Sequence, residues 1–226
     1  MTRGKLAAWI AGRLDERFGE VKRRPNDPVE ILVATILSQN TNDSNRDRAY
    51  ESLIGRFRSF EAVADADEDE IAATIRVGGL HRQKARSIKE SLRRIIAERG
   101  GLDLSFLAGL TIAEGLNWLL SLPGVGKKTA GIVLLFSFGK PYFPVDTHIR
   151  RVLSRVGLIE NGEDPHRVMN QILPKDPVLM RRLHLHLIRL GRTVCHPRRP
   201  ECSDCPLSAG CAVGKETIST LRRKSR

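Results

Sequence analysis

Three features of the sequence predict an all-α protein. Apolar residues recur at helical spacing along most of the chain, segments open on capping residues, and they close on glycine or proline. In the first segment Leu6, Trp9, Ile10, Arg13, Leu14 and Phe18 share one stripe that Gly19 ends. In "NDPVEILVATILSQ" Asp27 is an N-cap, Pro28 takes the first helical position and Glu30 completes a capping box. Apolar residues on every side of that segment predict a buried helix. Helices are expected next at about 44–57, 68–76 and 82–99, the last ending at Gly100 and Gly101. "TIAEGLNWLL" carries a second capping box, Thr111 with Glu114, and stops at Pro123. Further helices span about 127–138, 147–156 and 165–173. Only "LMRRLHLHLIRLG" is ambiguous, because Leu183, Leu185 and Leu187 alternate as in a strand. Met180, Leu183, Leu187 and Leu190 also fit a helix that Gly191 stops, and helix is the reading adopted. The tail "STLRRKSR" is basic and expected to fray. No internal repeat or low-complexity segment is present.

The chain has 226 residues, enough for one large domain or two small ones with real cores. Lys and Arg total 38 against 26 Asp and Glu, a formal charge of +12. That balance favours a polyanionic partner, nucleic acid first and an anionic membrane surface second. A spanning segment is excluded, since no apolar run approaches the roughly 20 residues a bilayer requires. The N-terminal apolar stretch is too short for a signal peptide, so a cytoplasmic protein is expected.

All four cysteines lie in one short stretch, as C-x6-C-x2-C-x5-C: Cys195, Cys202, Cys205 and Cys211. Clustered thiols in a reducing compartment read as metal ligands before disulfides. Structural zinc sites usually use two close pairs, and here only Cys202 and Cys205 form one. The longer spans favour an iron–sulfur cluster, with zinc as the alternative. Between the first two cysteines, Arg198 and Arg199 are either solvated loop charges or a cationic loop aimed at phosphates.

"LPGVGKKTAG" sits between two predicted helices. Gly124 and Gly126 let the backbone come close to a ligand, and N–H groups of the Gly124-Val125-Gly126 turn can meet an anion. Two lysines then stand at the positive end of a helix. Lys127 reads as a phosphate contact. For Lys128 the helix start and the adjacent ammonium both disfavour the charged form, which is what an amine nucleophile requires. A carboxylate partner is within reach of the chain. The helix runs about 15 Å beyond Lys128, and the eight residues "GKPYFPVD" span up to roughly 26 Å on the return. That is enough to bring back Asp146, which is also a good N-cap for "THIRRVL".

"LPGVGKKTA", "VDTHI" and the cysteine spacing, in that order, resemble the endonuclease III family of helix-hairpin-helix DNA glycosylases over nearly the whole chain. The resemblance implies two helical domains flanking a DNA-binding cleft. One is a six-helix barrel at 28–139, containing the hairpin; the other joins 1–27 to 140–226 and carries a 4Fe–4S cluster. It implies a monomer, nucleoid-associated if prokaryotic, acting in base-excision repair on double-stranded DNA with damaged bases or abasic sites. Glycosylases of this kind flip the target base out of the stack. Lys128 matches the family's nucleophile and Asp146 its catalytic aspartate. The implied reaction removes an oxidised or damaged pyrimidine, forms a Schiff base on Lys128 and cuts the strand by β-elimination. Asn40 best matches the family's wedge glutamine, with Gln39 displaced by one, and Leu80 matches its apolar wedge, against an ordinary core role. Gln39 and His148 are placed to line the substrate pocket; His184 and His186 are read as non-functional.

Two other readings are weighed against this one. A monofunctional relative, such as an adenine or mismatch-thymine glycosylase, lacks lysine at the position of Lys128. A non-catalytic helix-hairpin-helix DNA-binding protein explains the charge and the hairpin, but not the lysine, aspartate and cysteines together.

Overall fold

A computed structural model describes residues 1–21 and 27–224. Residues 22–26 and the last two of the basic tail lie outside the described residues. Among the described residues there is no strand, and the chain is all-α. The α-helices are α1 (Arg3–Phe18), α2 (Pro28–Leu37), α3 (Asp43–Phe57), α4 (Phe60–Asp65), α5 (Glu68–Thr74) and α6 (His81–Arg99). They continue as α7 (Ile112–Leu120), α8 (Lys127–Ile132), α9 (Thr147–Arg155), α10 (Pro165–Ile172), α11 (Pro177–Thr193) and α12 (Ala212–Lys224). None of them is long and apolar enough to cross a membrane. The chain divides into two compact units, Pro25–Lys140 and Met1–Arg24 with Pro141–Arg226.

In the first unit α2 is the central element. Val29, Leu32, Val33, Ile36 and Leu37 are all buried along one face of the helix, and each contributes about 1.5–3 kcal/mol over exposure. Glu30 is exposed and Ile31 and Ala34 are half-buried on the other side, so the helix expected to be buried on every side is buried along one face. Helices α3, α6 and α8 pack on it, α4 and α5 close against α6, and α7 lies against α8. Asp27 caps α2 through Oδ1, which accepts from the N–H groups of Val29 and Glu30 at 2.9 Å each. The Glu30 carboxylate hydrogen-bonds Tyr50. The box at Thr111 and Glu114 forms in full.

Three further expectations need correction. The six-residue α4, capped by Ser59, is too short to show a periodic stripe, so the first unit has a seventh helix. The helix expected at 127–138 is α-helical only to Ile132 and widens into a π-helical turn over Val133–Ser137. Finally, the tail expected to fray continues α12 as far as Lys224.

In the second unit α1 packs on α10 and α11, and α9 on α11. The ambiguous leucine-rich segment is helical because Met180, Leu183, Leu187 and Leu190 are buried on one side. His184 and His186 are buried with them. His184 Nδ1 lies 3.0 Å from Pro144 O, and its ring meets Phe143 edge-on. His186 packs on Phe18 beside Asp15. The close approach of α9 and α11 depends on Gly191, where an added Cβ would lie 2.8 Å from His148 Cβ. Gly191→Ala is therefore expected to cost about 1–3 kcal/mol by overpacking, read as a lower thermal midpoint than wild type.

Candidate functional site

The site residues of the first unit gather at the carboxyl end of α2. Ser38 follows its last residue, and Ser38 Oγ accepts from Lys128 Nζ at 3.1 Å. Gln39 Nε2 donates to Gly124 O at 2.9 Å, tying the same loop to the "LPGVG" turn. Asn40 comes next, exposed and in the left-handed region at φ 49°.

The turn itself rests on α6. Gly124 adopts φ +72°, and a Cβ there would lie 2.3 Å from Ser87 Oγ, so the contact requires glycine. Ser91 Oγ donates to Pro123 O at 3.2 Å. Gly124 and Gly126 are exposed, whereas the Val125 side chain is buried in the apolar core. Of the three, Val125 can therefore meet a ligand only through its backbone. Gly126 is the N-cap of α8, and the two lysines after it diverge: Lys127 is exposed and Lys128 is half-buried.

A third loop belongs to the same group. Gly78 ends a 3-10 turn, Gly79 comes after it at φ +67°, and Leu80 caps α6 at φ +48°. Leu80 is 48% exposed, which rules out the core role. Loops 37–40 and 78–80 meet at Lys84, a residue that no sequence motif marks. Lys84 is 1% exposed, and its Nζ donates to Leu37 O at 2.7 Å and to Gly78 O at 2.8 Å. Burial alone pushes its amine down to about 8. One sequence signal does point to it: Lys84 stands in register with Ile88, Leu92 and Ile95 on the buried stripe of α6.

In the second unit Asp146 is the N-cap of α9, its Oδ1 accepting from the Ile149 N–H at 2.7 Å. It belongs to a different unit from Lys128. His148, in the first turn, is half-buried and places Nδ1 3.1 Å from Arg151 Nη2. Arg151 donates to Gly191 O and Cys195 O, and Arg155 to Cys195 Sγ, His196 O and Pro197 O. Helix α9 thus carries the aspartate at one end and secures the cysteine segment from the other.

Cys195, Cys202, Cys205 and Cys211 are free thiols that line one small cavity of about 20 Å³. Among the described residues no group of three or more His, Cys, Asp or Glu is set to hold a metal ion. The chemistry of the donor set nevertheless fits a cationic centre. Burial first, and the three other cysteines with it, push the Cys205 thiol up to about 11. Four thiolates sharing one small cavity need a positive charge among them. Helix α1 covers the segment: an added Cβ at Gly210 would lie 2.6 Å from the Trp9 ring, and Arg13 Nε donates to Pro206 O at 3.3 Å. Arg198 and Arg199 are exposed on the loop between the first two cysteines.

The chain is similar to known proteins throughout its length. Residues 33–175 match the HhH-GPD superfamily of base excision DNA repair proteins. The endonuclease III of Thermotoga maritima is 34% identical over 204 residues, 89% of this chain and 90% of that one. The thymine-DNA glycosylase of Aeropyrum pernix is 33% identical, covering 84% of each chain. Among solved structures, a trapped endonuclease III–DNA covalent intermediate superimposes with a TM-score of 0.80 at 26% identity. The match covers 96% of this chain and 99% of that one. The chain therefore belongs to the HhH-GPD superfamily and is a base excision repair DNA glycosylase of the endonuclease III type.

Proposed function

We infer that this glycosylase is bifunctional. It removes oxidised or ring-damaged pyrimidines from double-stranded DNA and then cuts the strand at the abasic site through Lys128. The observation that carries this reading is the split between adjacent lysines, one exposed after a Gly-x-Gly turn and the other half-buried with Nζ on Ser38 Oγ. The first suits a phosphate, and the second suits an amine kept for chemistry. The similarity to a protein trapped as a covalent DNA intermediate supports the same assignment.

In this mechanism the glycosidic bond breaks with its electron pair leaving on the base. Ionised Asp146 stabilises the positive charge that develops at C1′, as carboxylates do in glycoside hydrolysis. The neutral amine of Lys128 attacks C1′ and loses a proton. The C1′–O4′ bond then breaks with its electron pair on O4′, which takes up that proton as the ring opens to an iminium. The iminium acidifies C2′–H. Loss of that proton expels the 3′-phosphate, and water releases Lys128 from the product. Asn40 and Leu80 fill the gap left by the extruded base, with Gln39 holding the Asn40 loop to the hairpin. His148 lines the base pocket. Backbone N–H groups of the turn, Lys127, Arg198 and Arg199 meet phosphates. Cys195, Cys202, Cys205 and Cys211 are the set that would hold a 4Fe–4S cluster, which supplies a rigid cross-link for the Arg198 loop. No step needs electrons from it.

Three outcomes test the reading. Lys128→Gln should lower strand scission at abasic sites by at least about a hundredfold while duplex binding persists; scission within a few-fold of wild type would remove the nucleophile. Asp146→Asn keeps a good N-cap, so stability should change by less than about 0.5 kcal/mol, while single-turnover base release should fall by about a hundredfold. Unchanged base release would leave Asp146 as a cap only. Lys127→Ala should reduce the slope of log K against log salt by about 0.9 on duplex DNA, whereas an unchanged slope would take Lys127 off the phosphates.

A further inference from the structure

Lys84 plays no part in the chemistry just described, yet among the described residues it is one of the largest fully buried side chains, in company that is otherwise apolar. Its two partners, Leu37 O and Gly78 O, are backbone carbonyls without formal charge. They have something in common. Leu37 is the last residue of α2 and Gly78 the last of the 3-10 turn, so each carbonyl lies where a helix runs out of its own N–H donors. The ammonium therefore sits at the negative ends of two helical segments at once. Hydrogen bonds from a charged donor are stronger than those from a neutral one, and a buried ammonium without them would be costly.

The residues just beyond each carbonyl give the arrangement its meaning. Three residues after Leu37 is Asn40, and two after Gly78 is Leu80, both non-glycine residues held at positive φ and exposed. Arg58, the remaining non-glycine residue with positive φ among those described, is an ordinary helix C-cap. Left-handed backbone at Asn40 or Leu80 costs about 1–3 kcal/mol and persists only where the surroundings hold it. Lys84 is positioned to hold both, and its own backbone N–H donates to Leu80 O at 2.9 Å.

We propose that Lys84 is a positioning residue that fixes the Asn40 and Leu80 loops to one another, so that the two side chains enter the DNA stack as a single wedge. The proposal rests on the reading of Asn40 and Leu80 as gap-filling residues. A single cation serving both loops makes their geometry concerted: loosening one loosens the other.

The test uses full-length Lys84→Met, Leu80→Ala and the double variant. Lys84→Met should raise amide exchange at 38–41 and at 78–81 together, by tenfold or more, with the remaining helices unchanged. Its affinity for a duplex with one abasic site should fall about tenfold and its affinity for undamaged duplex less than twofold. In the Leu80→Ala background the Lys84→Met effect on abasic-site affinity should shrink to threefold or less, since the wedge is already blunted. Exchange that rises in one loop only, or equal losses on damaged and undamaged duplex, would overturn the proposal. If Leu80→Ala and Asn40→Ala leave abasic-site affinity unchanged while Lys84→Met loosens both loops, the wedge reading fails and the clamp stands as a fact of the fold. Should Lys84→Met not fold, Lys84→Gln, which keeps an amide donor, gives the same comparison at smaller amplitude. Failure of both to fold would make the ammonium a core requirement and overturn a positioning role.

Discussion

The carboxyl end of α2 is the constraint on which the first unit depends. Within three residues, Leu37 O accepts from Lys84, Ser38 Oγ from Lys128, and Gln39 Nε2 donates to Gly124 O. The first of these satisfies a carbonyl that the helix end leaves open, and the other two use side chains of the residues that follow. Together they join α6, α8 and the glycine turn at one place. The end is fixed because the buried face of α2, Val29, Leu32, Val33, Ile36 and Leu37, cannot rotate or slide without exposing a large hydrocarbon surface. Rigidity in the core is thereby passed to a half-buried amine. The π-helical turn that follows α8 also packs on α2.

The second unit uses different means to a similar end. Its cysteine segment has little regular structure of its own and is held from both sides. Arg151 and Arg155 of α9 take its backbone oxygens, while Trp9 and Arg13 of α1 lie against Gly210 and Pro206. Small residues permit the close approaches: Gly191 under His148 and Gly210 under Trp9. Asp146 is part of this framework through its cap on Ile149, which holds one carboxylate oxygen in a definite direction.

Much of the fold and of the site is legible in the sequence, and the reasons differ from residue to residue. Helices with a cap and a stripe are readable because both signals are local. Lys128 stands out because a lysine is electrostatically misplaced in the first turn of a helix; that it is half-buried beside an exposed Lys127 is a structural fact that the sequence does not show. The cysteines announce themselves by spacing. The hidden features depend on contacts between distant segments. Nothing local says that Gln39 reaches Gly124, that Glu30 turns to Tyr50, or that Val125 points inward while its glycine neighbours stay exposed. The short α4 has too few residues for a period to emerge, and α12 lacks a clear apolar stripe. Lys84 is visible only as a polar residue in an apolar register, a pattern easily taken for a solvated helix face.

The central claim is that one particular amine of this chain becomes bonded to the sugar. Reduction of the protein with borohydride on abasic duplex DNA, then proteolysis, nuclease digestion and mass spectrometry, locates that bond directly. The deoxyribose remnant is expected on Lys128 Nζ in essentially all of the adduct. A remnant found chiefly on Lys127, Lys84 or the terminal amine would contradict it.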